Sequence, residues 1–378
     1  MSKSKIRQAL WFGCNGLSLR RHLPIAFLIG ALPGNVSAQQ EEAKPGADPN
    51  GSVHLNLDIP LSVYMSGAAR HLLSQQLFSP SEPPAGEDIA ALRRSVDQMM
   101  LPLLERVRKT YAAHVETANY GGVGVDVVTP DGGVPARNRK RVLINLHGGS
   151  FSVGEGATGL IESIPIAVVG GFKVVSVHYR MGPEHAFPAA SQDVESVFRE
   201  LLKQYKPENI GIYGCSSGGN LTAMAMAWFQ KQRLPRPGAI GILCATADIL
   251  WSGDSSYLAP FLGGGQSDFP PRPRNLISPY LKKVDSRDPL VSPVFFPEIL
   301  SRFPPTLFIT GTRSMELSGA VYAHTQLIKA GNIAELHVWE GMWHGFIYNV
   351  ELPEARESFD VITGFFDRYL GKKNKVGQ

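Results

Sequence analysis

Gly214-Cys215-Ser216-Ser217-Gly218 has the spacing of a nucleophile elbow, in which a strand delivers a serine to a tight turn and a helix leads away. Glycine at the first and fifth positions removes the Cβ atoms that would strike neighbouring backbone. The flanks agree: Ile210-Gly211-Ile212-Tyr213 is a β-rich apolar run, and Leu221 to Trp228 is helix-permissive. The implied chemistry is attack of the Ser216 hydroxyl on a carbonyl carbon, that is, serine-dependent acyl hydrolysis. Cys215 is the sharper nucleophile by type, but Ser216 occupies the apex of the turn.

Two more segments suit that chemistry. Val142 to Leu146 runs into His147-Gly148-Gly149-Ser150-Phe151, a glycine turn at a strand end. The N–H groups of Gly148 and Gly149, with that of Ser217, would form an oxyanion hole, each donor worth ~10²–10³ in rate. His344 lies in Glu340-Gly341-Met342-Trp343-His344-Gly345-Phe346, between the last strand and the last helix, where an imidazole can serve Ser216 as general base.

These residues need a scaffold that brings distant loops to one edge. Four short apolar runs, Val142 to Leu146, Val174 to His178, Ile210 to Tyr213 and Ala239 to Cys244, suit strands buried on both faces. Helix-length stretches separate them, as right-handed βαβ units require. Upstream, β texture begins at His114 and alternates through Val123 to Val128 before the turn cluster Pro130-Asp131-Gly132-Gly133. Thr306 to Thr310 and Glu335 to Trp339 add two late strands, and a helix over about Pro353 to Leu370 follows them. The pattern predicts a doubly wound, mostly parallel α/β sheet with helices on both faces, formed by 113–248 and 305–371.

Residues 53–112, with Ile89, Leu92, Val96, Met99, Met100, Leu103 and Leu104 at helical spacing, read as amino-terminal cap helices. Residues 249–304, rich in Pro, Gly and aromatics, read as a second cap segment over the carboxyl edge of the sheet, and 372–378 as a solvated tail.

A chain of 378 residues with ordinary charged and apolar fractions fits a globular protein, not a disordered or fibrous one. The formal charge of +4 comes from Lys3, Lys5, Arg7, Arg20 and Arg21; without those five it is −1, so no nucleic-acid partner is expected. Residues 1–38 join this basic region to an apolar run, Leu23 to Leu32, and to Val36-Ser37-Ala38 before Gln39, in the manner of a secretory signal peptide. A Gly/Pro-rich linker over 39–52 follows.

The apolar run is shorter than the ~20 residues a bilayer-spanning helix needs. An exported protein, periplasmic or secreted and without a stable membrane anchor, is expected. Arg20-Arg21 leaves general secretory and twin-arginine export both open. Cys215 and Cys244 remain after processing, in neighbouring strands, as buried thiols or, in an oxidising compartment, as a disulfide. Nothing in the sequence specifies an oligomeric state.

Four features together resemble the hormone-sensitive lipase family of α/β-hydrolases, in its bacterial esterase branch, over roughly Gly121 to Leu370. They are His147-Gly148-Gly149, the stretch His178-Tyr179-Arg180-Met181-Gly182-Pro183-Glu184-His185-Ala186-Phe187-Pro188-Ala189-Ala190, the elbow with Gly219-Asn220, and the His344 loop. The resemblance implies an α/β-hydrolase fold with a helical cap. It also implies hydrolysis of a small-molecule carboxylic ester, with a short or medium acyl group, by a Ser–His–acid triad with no cofactor and no metal. Arg180 and Glu184 then read as structural partners near the site, not as reactants.

The chain departs from that family at the acid. The family's acid follows the seventh strand, here within Thr310-Gly311-Thr312-Arg313-Ser314-Met315-Glu316-Leu317-Ser318, and Ser314 stands where aspartate is expected. A serine does not stabilise an imidazolium as a carboxylate does. Glu316, two residues on and one methylene longer than aspartate, is the first candidate for the acid; Asp248, just past the sixth strand, is the second. Loss of the acid's function costs about 10⁴ in turnover in a serine-protease template, so a chain without one would be a feeble esterase.

Ser314 also motivates a rival class, a non-catalytic small-ligand binder like the plant gibberellin receptors that resemble this family. Intact Ser216 and His344 favour an enzyme. Lactonase, thioesterase or amidase activity would use the same machinery. Leaving-group preference falls to the cap, with Met99, Met100, Trp251, Tyr257 and Phe261 as candidate walls of an apolar, restricted pocket for small hydrophobic esters.

Overall fold

The computed structural model describes residues 46–47, 53–54, 58–78, 88–262 and 278–372. The expected leader over 1–38, most of the expected 39–52 linker and the expected tail from 373 lie outside the described residues, as do 263–277 in the expected second cap segment and the side chain of Phe261. The chain divides into two units, Met1–Asp58 and Ile59–Gln378. In the first, the two-residue strands Gly46–Ala47 and Val53–His54 pair antiparallel.

In the second unit eight strands form one sheet: β1 (Ala113–Tyr120), β2 (Val123–Pro130), β3 (Val142–Leu146), β4 (Lys173–Val177), β5 (Ile210–Cys215), β6 (Ala239–Leu243), β7 (Thr306–Arg313) and β8 (Ala334–Trp343). Their order is β8-β7-β6-β5-β3-β4-β2-β1. Strands β3 to β8 are parallel to one another, while β2 runs antiparallel to both β4 and β1. This is the mostly parallel α/β sheet that the apolar runs predict, and β3 has the expected bounds.

Because side chains alternate across a strand, each central strand serves two cores. Val142, Ile144 and Leu146 of β3, Ile210 and Ile212 of β5, and Ile240 and Ile242 of β6 point to one core, which the helices α4 (Ala189–Leu202), α5 (Ser217–Lys231) and α8 (Leu317–Lys329) cover. Leu143, Tyr213, Cys215 and Leu243 point to the other, covered by α3 (Ala157–Gly170) and α9 (Pro353–Tyr369). Amino-terminal helices α1 (Gly67–Phe78) and α2 (Ile89–Thr110) add Ala69, Leu73, Leu104 and Val107 to that second core. Among the described residues, 249–304 holds α6 (Asp254–Leu262), α7 (Pro297–Leu300) and two 3-10 turns, and no strand. No helix among the described residues is long and apolar enough to cross a membrane.

β7 and β8 are longer than their apolar runs. The sequence signal stops at Thr310 and Trp339 because Gly311 and Glu340-Gly341 interrupt it. The strands nevertheless continue to Arg313 and Trp343, which are in register after a shift in pairing between Trp339 and Trp343. The Gly341 amide donates to Thr312 Oγ1 at 2.7 Å across this irregularity. The extension releases His344 and the segment after Arg313 side by side from adjacent strands.

Candidate active site

Ser216 sits between β5 and α5 at φ 56°, ψ −127°, a left-handed φ that a non-glycine residue holds only where its surroundings enforce it. Its N–H donates to the Leu243 carbonyl at 2.9 Å, and its own carbonyl accepts the amides of Gly219 and Asn220. Gly218 is obligatory here: a Cβ would lie 1.7 Å from the Leu146 carbonyl oxygen.

His344 reaches this serine from the loop after β8. Its Nε2 is 3.1 Å from Ser216 Oγ, and its Nδ1 is 3.0 Å from Glu316 Oε2. A carboxylate facing Nδ1 selects the tautomer with the proton there, which leaves Nε2 free to accept the serine proton. Glu316 is fully buried immediately before α8, where the helix N-terminus favours negative charge, and its Oε1 accepts from Thr310 Oγ1 at 3.1 Å. Ser314, at the position where aspartate is expected, is buried, and its hydroxyl has no partner among the described residues.

Asp248 is not in this constellation. Its carboxylate accepts from Thr246 Oγ1 at 2.6 Å and from the amides of Leu250 and Trp251 at 2.7 and 2.9 Å. Those donors commit it to its own turn, whose Thr246 and Asp248 carbonyls accept from Asn220 Nδ2. The second candidate for the acid is therefore a structural aspartate that seats the loop carrying Trp251. The Trp251 ring stands edge-on to His344, centroids 5.5 Å apart.

The glycine turn after β3 requires one correction. Gly148 N–H donates to the buried carboxylate of Glu162 at 2.9 Å, so it is already used and does not face the reacting atoms. Gly149 and Ser217 do line the same cavity as Ser216, and among the described residues their amides have no acceptor. Gly149 has φ 122°, and a Cβ there would lie 2.0 Å from the Val153 carbonyl oxygen, so the turn cannot form with another residue. Beneath it His147 is buried, stacked on Tyr179 with centroids 4.2 Å apart, and donates from Nδ1 to the Gly148 carbonyl. Burial pushes the His147 pKa down to about 4. Burial pushes Glu162 up to about 7, against hydrogen bonds from Asn145, Tyr348 and Gly148 that favour the ionised form.

The cavity over Ser216 has a volume of about 600 Å³. Leu92, Phe151, Val153, Ile249, Trp251 and Leu281 give it largely apolar walls. Of the five proposed wall residues Trp251 is one. Met99 is 54% exposed, Met100 packs into the core under α2, and Tyr257 faces solvent on α6. The rise along α2 explains the miss: Leu92 is in the turn above the site, and Met99 is ~10 Å further along the axis.

Arg93, beside Leu92, was not singled out by sequence. It donates to the Ser152 and Gly182 carbonyls and forms a bidentate pair with Glu184, pinning the start of α2 to the cavity rim. Glu184 is thus a structural partner, as is Arg180, paired with Asp193. Glu162 was missed as well, although a lone acid in Leu160-Ile161-Glu162-Ser163-Ile164 is the kind of signal that marks a buried polar role. Cys215 and Cys244 are buried free thiols.

A family profile for the alpha/beta hydrolase fold matches residues 143–348. An acetyl-hydrolase of Streptomyces hygroscopicus is 30% identical over 242 residues, 63% of this chain and 79% of that protein. The crystal structure of an esterase matches with a TM-score of 0.75 at 30% identity, covering 85% of this chain and 99% of the other. An esterase from the bacterial hormone-sensitive lipase family matches with a TM-score of 0.70 at 25% identity, covering 81% and 99%. The sheet order, the elbow and these matches together make the chain a member of the hormone-sensitive lipase family of α/β-hydrolases, a carboxylesterase-type hydrolase.

Proposed function

We propose that Ser216, His344 and Glu316 form the catalytic triad of an esterase for small hydrophobic esters with short or medium acyl groups. The reading is carried by the two hydrogen bonds of His344, 3.1 Å to Ser216 Oγ and 3.0 Å to Glu316 Oε2. Ser216 Oγ attacks the ester carbonyl as His344 Nε2 takes its proton; Glu316 stays ionised and stabilises the imidazolium through Nδ1–H. The amides of Gly149 and Ser217 receive the oxyanion. The imidazolium returns its proton to the departing alkoxide, leaving an acyl-enzyme, and water activated by the same imidazole releases the acid.

The cavity, about 600 Å³ with mostly apolar walls, and the likeness to an acetyl-hydrolase support this substrate class. Hydrolysis of p-nitrophenyl butyrate and p-nitrophenyl palmitate by the parent and its Ser216→Ala variant tests both parts. Butyrate is expected to be hydrolysed faster, and the serine variant to lose about 10⁶ in kcat, as in the protease template. Faster turnover of palmitate would overturn the substrate class, and turnover surviving in Ser216→Ala would overturn the nucleophile.

A further inference from the structure

Glu162 projects from α3, whose buried side is otherwise dominated by Leu160, Ile161, Ile164 and Ile166. The residue is 5% exposed, and its carboxylate has no ion-pair partner among the described residues. Burying a carboxylate without a cation is among the least favourable placements a fold can make, so stability does not account for it. Its neighbours suggest another role. Oε1 accepts Gly148 N–H at 2.9 Å and Tyr348 O–H at 2.7 Å, and Oε2 accepts from Asn145 Nδ2 at 2.9 Å.

The two donors on Oε1 come from the two loops that flank Ser216. Gly148 directly precedes Gly149, and Tyr348 follows His344 by four residues. The Tyr348 hydroxyl fills the space beside Gly148 so closely that a Cβ there would lie 2.7 Å from it. The remaining titratable groups around the carboxylate are Tyr179, Tyr213, Tyr348 and Cys215, whose pKa values burial raises, so all stay neutral. Resting on the triad reading above, we infer that Glu162 is a positioning residue. Its carboxylate clamps the Gly148–Gly149 turn to the His344 loop, so that the Gly149 amide is held where the oxyanion forms.

Glu162→Gln keeps the shape but turns one acceptor oxygen into an amide donor facing another donor, Asn145 Nδ2. An oxyanion donor is worth ~10²–10³ in rate, and one displaced but not removed is expected to lower kcat by about 10–100-fold. KM should stay within about twofold, because the oxyanion exists only on the way through the tetrahedral state. Inhibition by a trifluoromethyl ketone, whose serine adduct carries that oxyanion, should weaken by the same factor as kcat. Tyr348→Phe removes one donor and should give the same pattern at about 3–10-fold.

If Glu162→Gln does not fold, Tyr348→Phe decides by the same readouts. Folded variants whose kcat and ketone affinity stay within twofold of the parent would overturn the clamp, as would a rise in KM with kcat unchanged. A parent without Ser216-dependent turnover would sink the triad reading instead, so the two failures are distinguishable.

Discussion

Glu316 offers one oxygen to His344 Nδ1 and the other to Thr310, whereas Glu162, also buried, meets the neutral donors of Gly148, Tyr348 and Asn145. On the proposed triad, the first carboxylate faces a ring that becomes positive during turnover; the second meets no cationic group among the described residues. Burial alone therefore does not define the role of an acid. Its partner does: an ionisable partner makes a carboxylate part of the chemistry, and fixed neutral donors make it part of the frame. The frame acid shows its cost as a pKa lifted to about 7.

The largest expected effect separates the two candidates for the acid. Glu316→Gln should lower kcat by about 10⁴, the size of the loss in the protease template. Asp248→Asn, which touches a turn and not the imidazole, should lower kcat by less than about tenfold and cost ~1 kcal/mol of stability through its lost turn bonds. Kinetics on p-nitrophenyl butyrate and urea unfolding of both variants measure this. Equal kinetic losses would break the distinction between chemical and structural acid.

A smaller effect lies in the pH dependence of stability. Glu162 is raised from 4.5 to about 7 in the folded chain, so its contribution is full below pH 4.5 and is lost as pH rises to 7. His147 is lowered from 6.5 to about 4, so its contribution is full above pH 6.5 and is lost as pH falls toward 4. Between pH 4.5 and 6.5 the two slopes oppose each other. In Glu162→Gln the His147 slope stands alone. Relative to the parent, the variant should gain unfolding free energy as pH rises from 4.5 to 7, by at most about 1.4 kcal/mol per pH unit. Urea titrations at several pH values read this directly, and parallel curves for parent and variant would show that Glu162 is not the strained member of the pair.

The smallest effect belongs to Ser314, whose buried hydroxyl has no partner among the described residues. Ser314→Ala should leave kcat unchanged and shift stability by less than about 1 kcal/mol, in the stabilising direction. A large loss of activity would mean that Ser314 supports Glu316 after all, and kinetics with thermal unfolding would show it.

Much of the frame was legible because its signals are local. A strand buried on both faces is a short, largely apolar run, as in Val142 to Leu146, and the turn that carries Ser216 is a glycine spacing imposed by backbone contact. The ends of β7 and β8 were not legible, because their last residues are held by register with each other and not by apolar runs. Arg93 was invisible for a similar reason: its partners Ser152, Gly182 and Glu184 lie 59 to 91 residues away.

The sequence by itself determined the fold class and named Ser216 and His344, since element periodicity and loop order survive without coordinates. Only the tertiary structure separated Glu316 from Asp248, gave Gly148 N–H to Glu162, and replaced Met99 by Leu92 at the cavity wall. Each of those outcomes depends on where a side chain or amide points relative to atoms far along the chain. Spacing records which residues are near in sequence; the direction of a hydrogen bond across the sheet edge is set only when the strands pack.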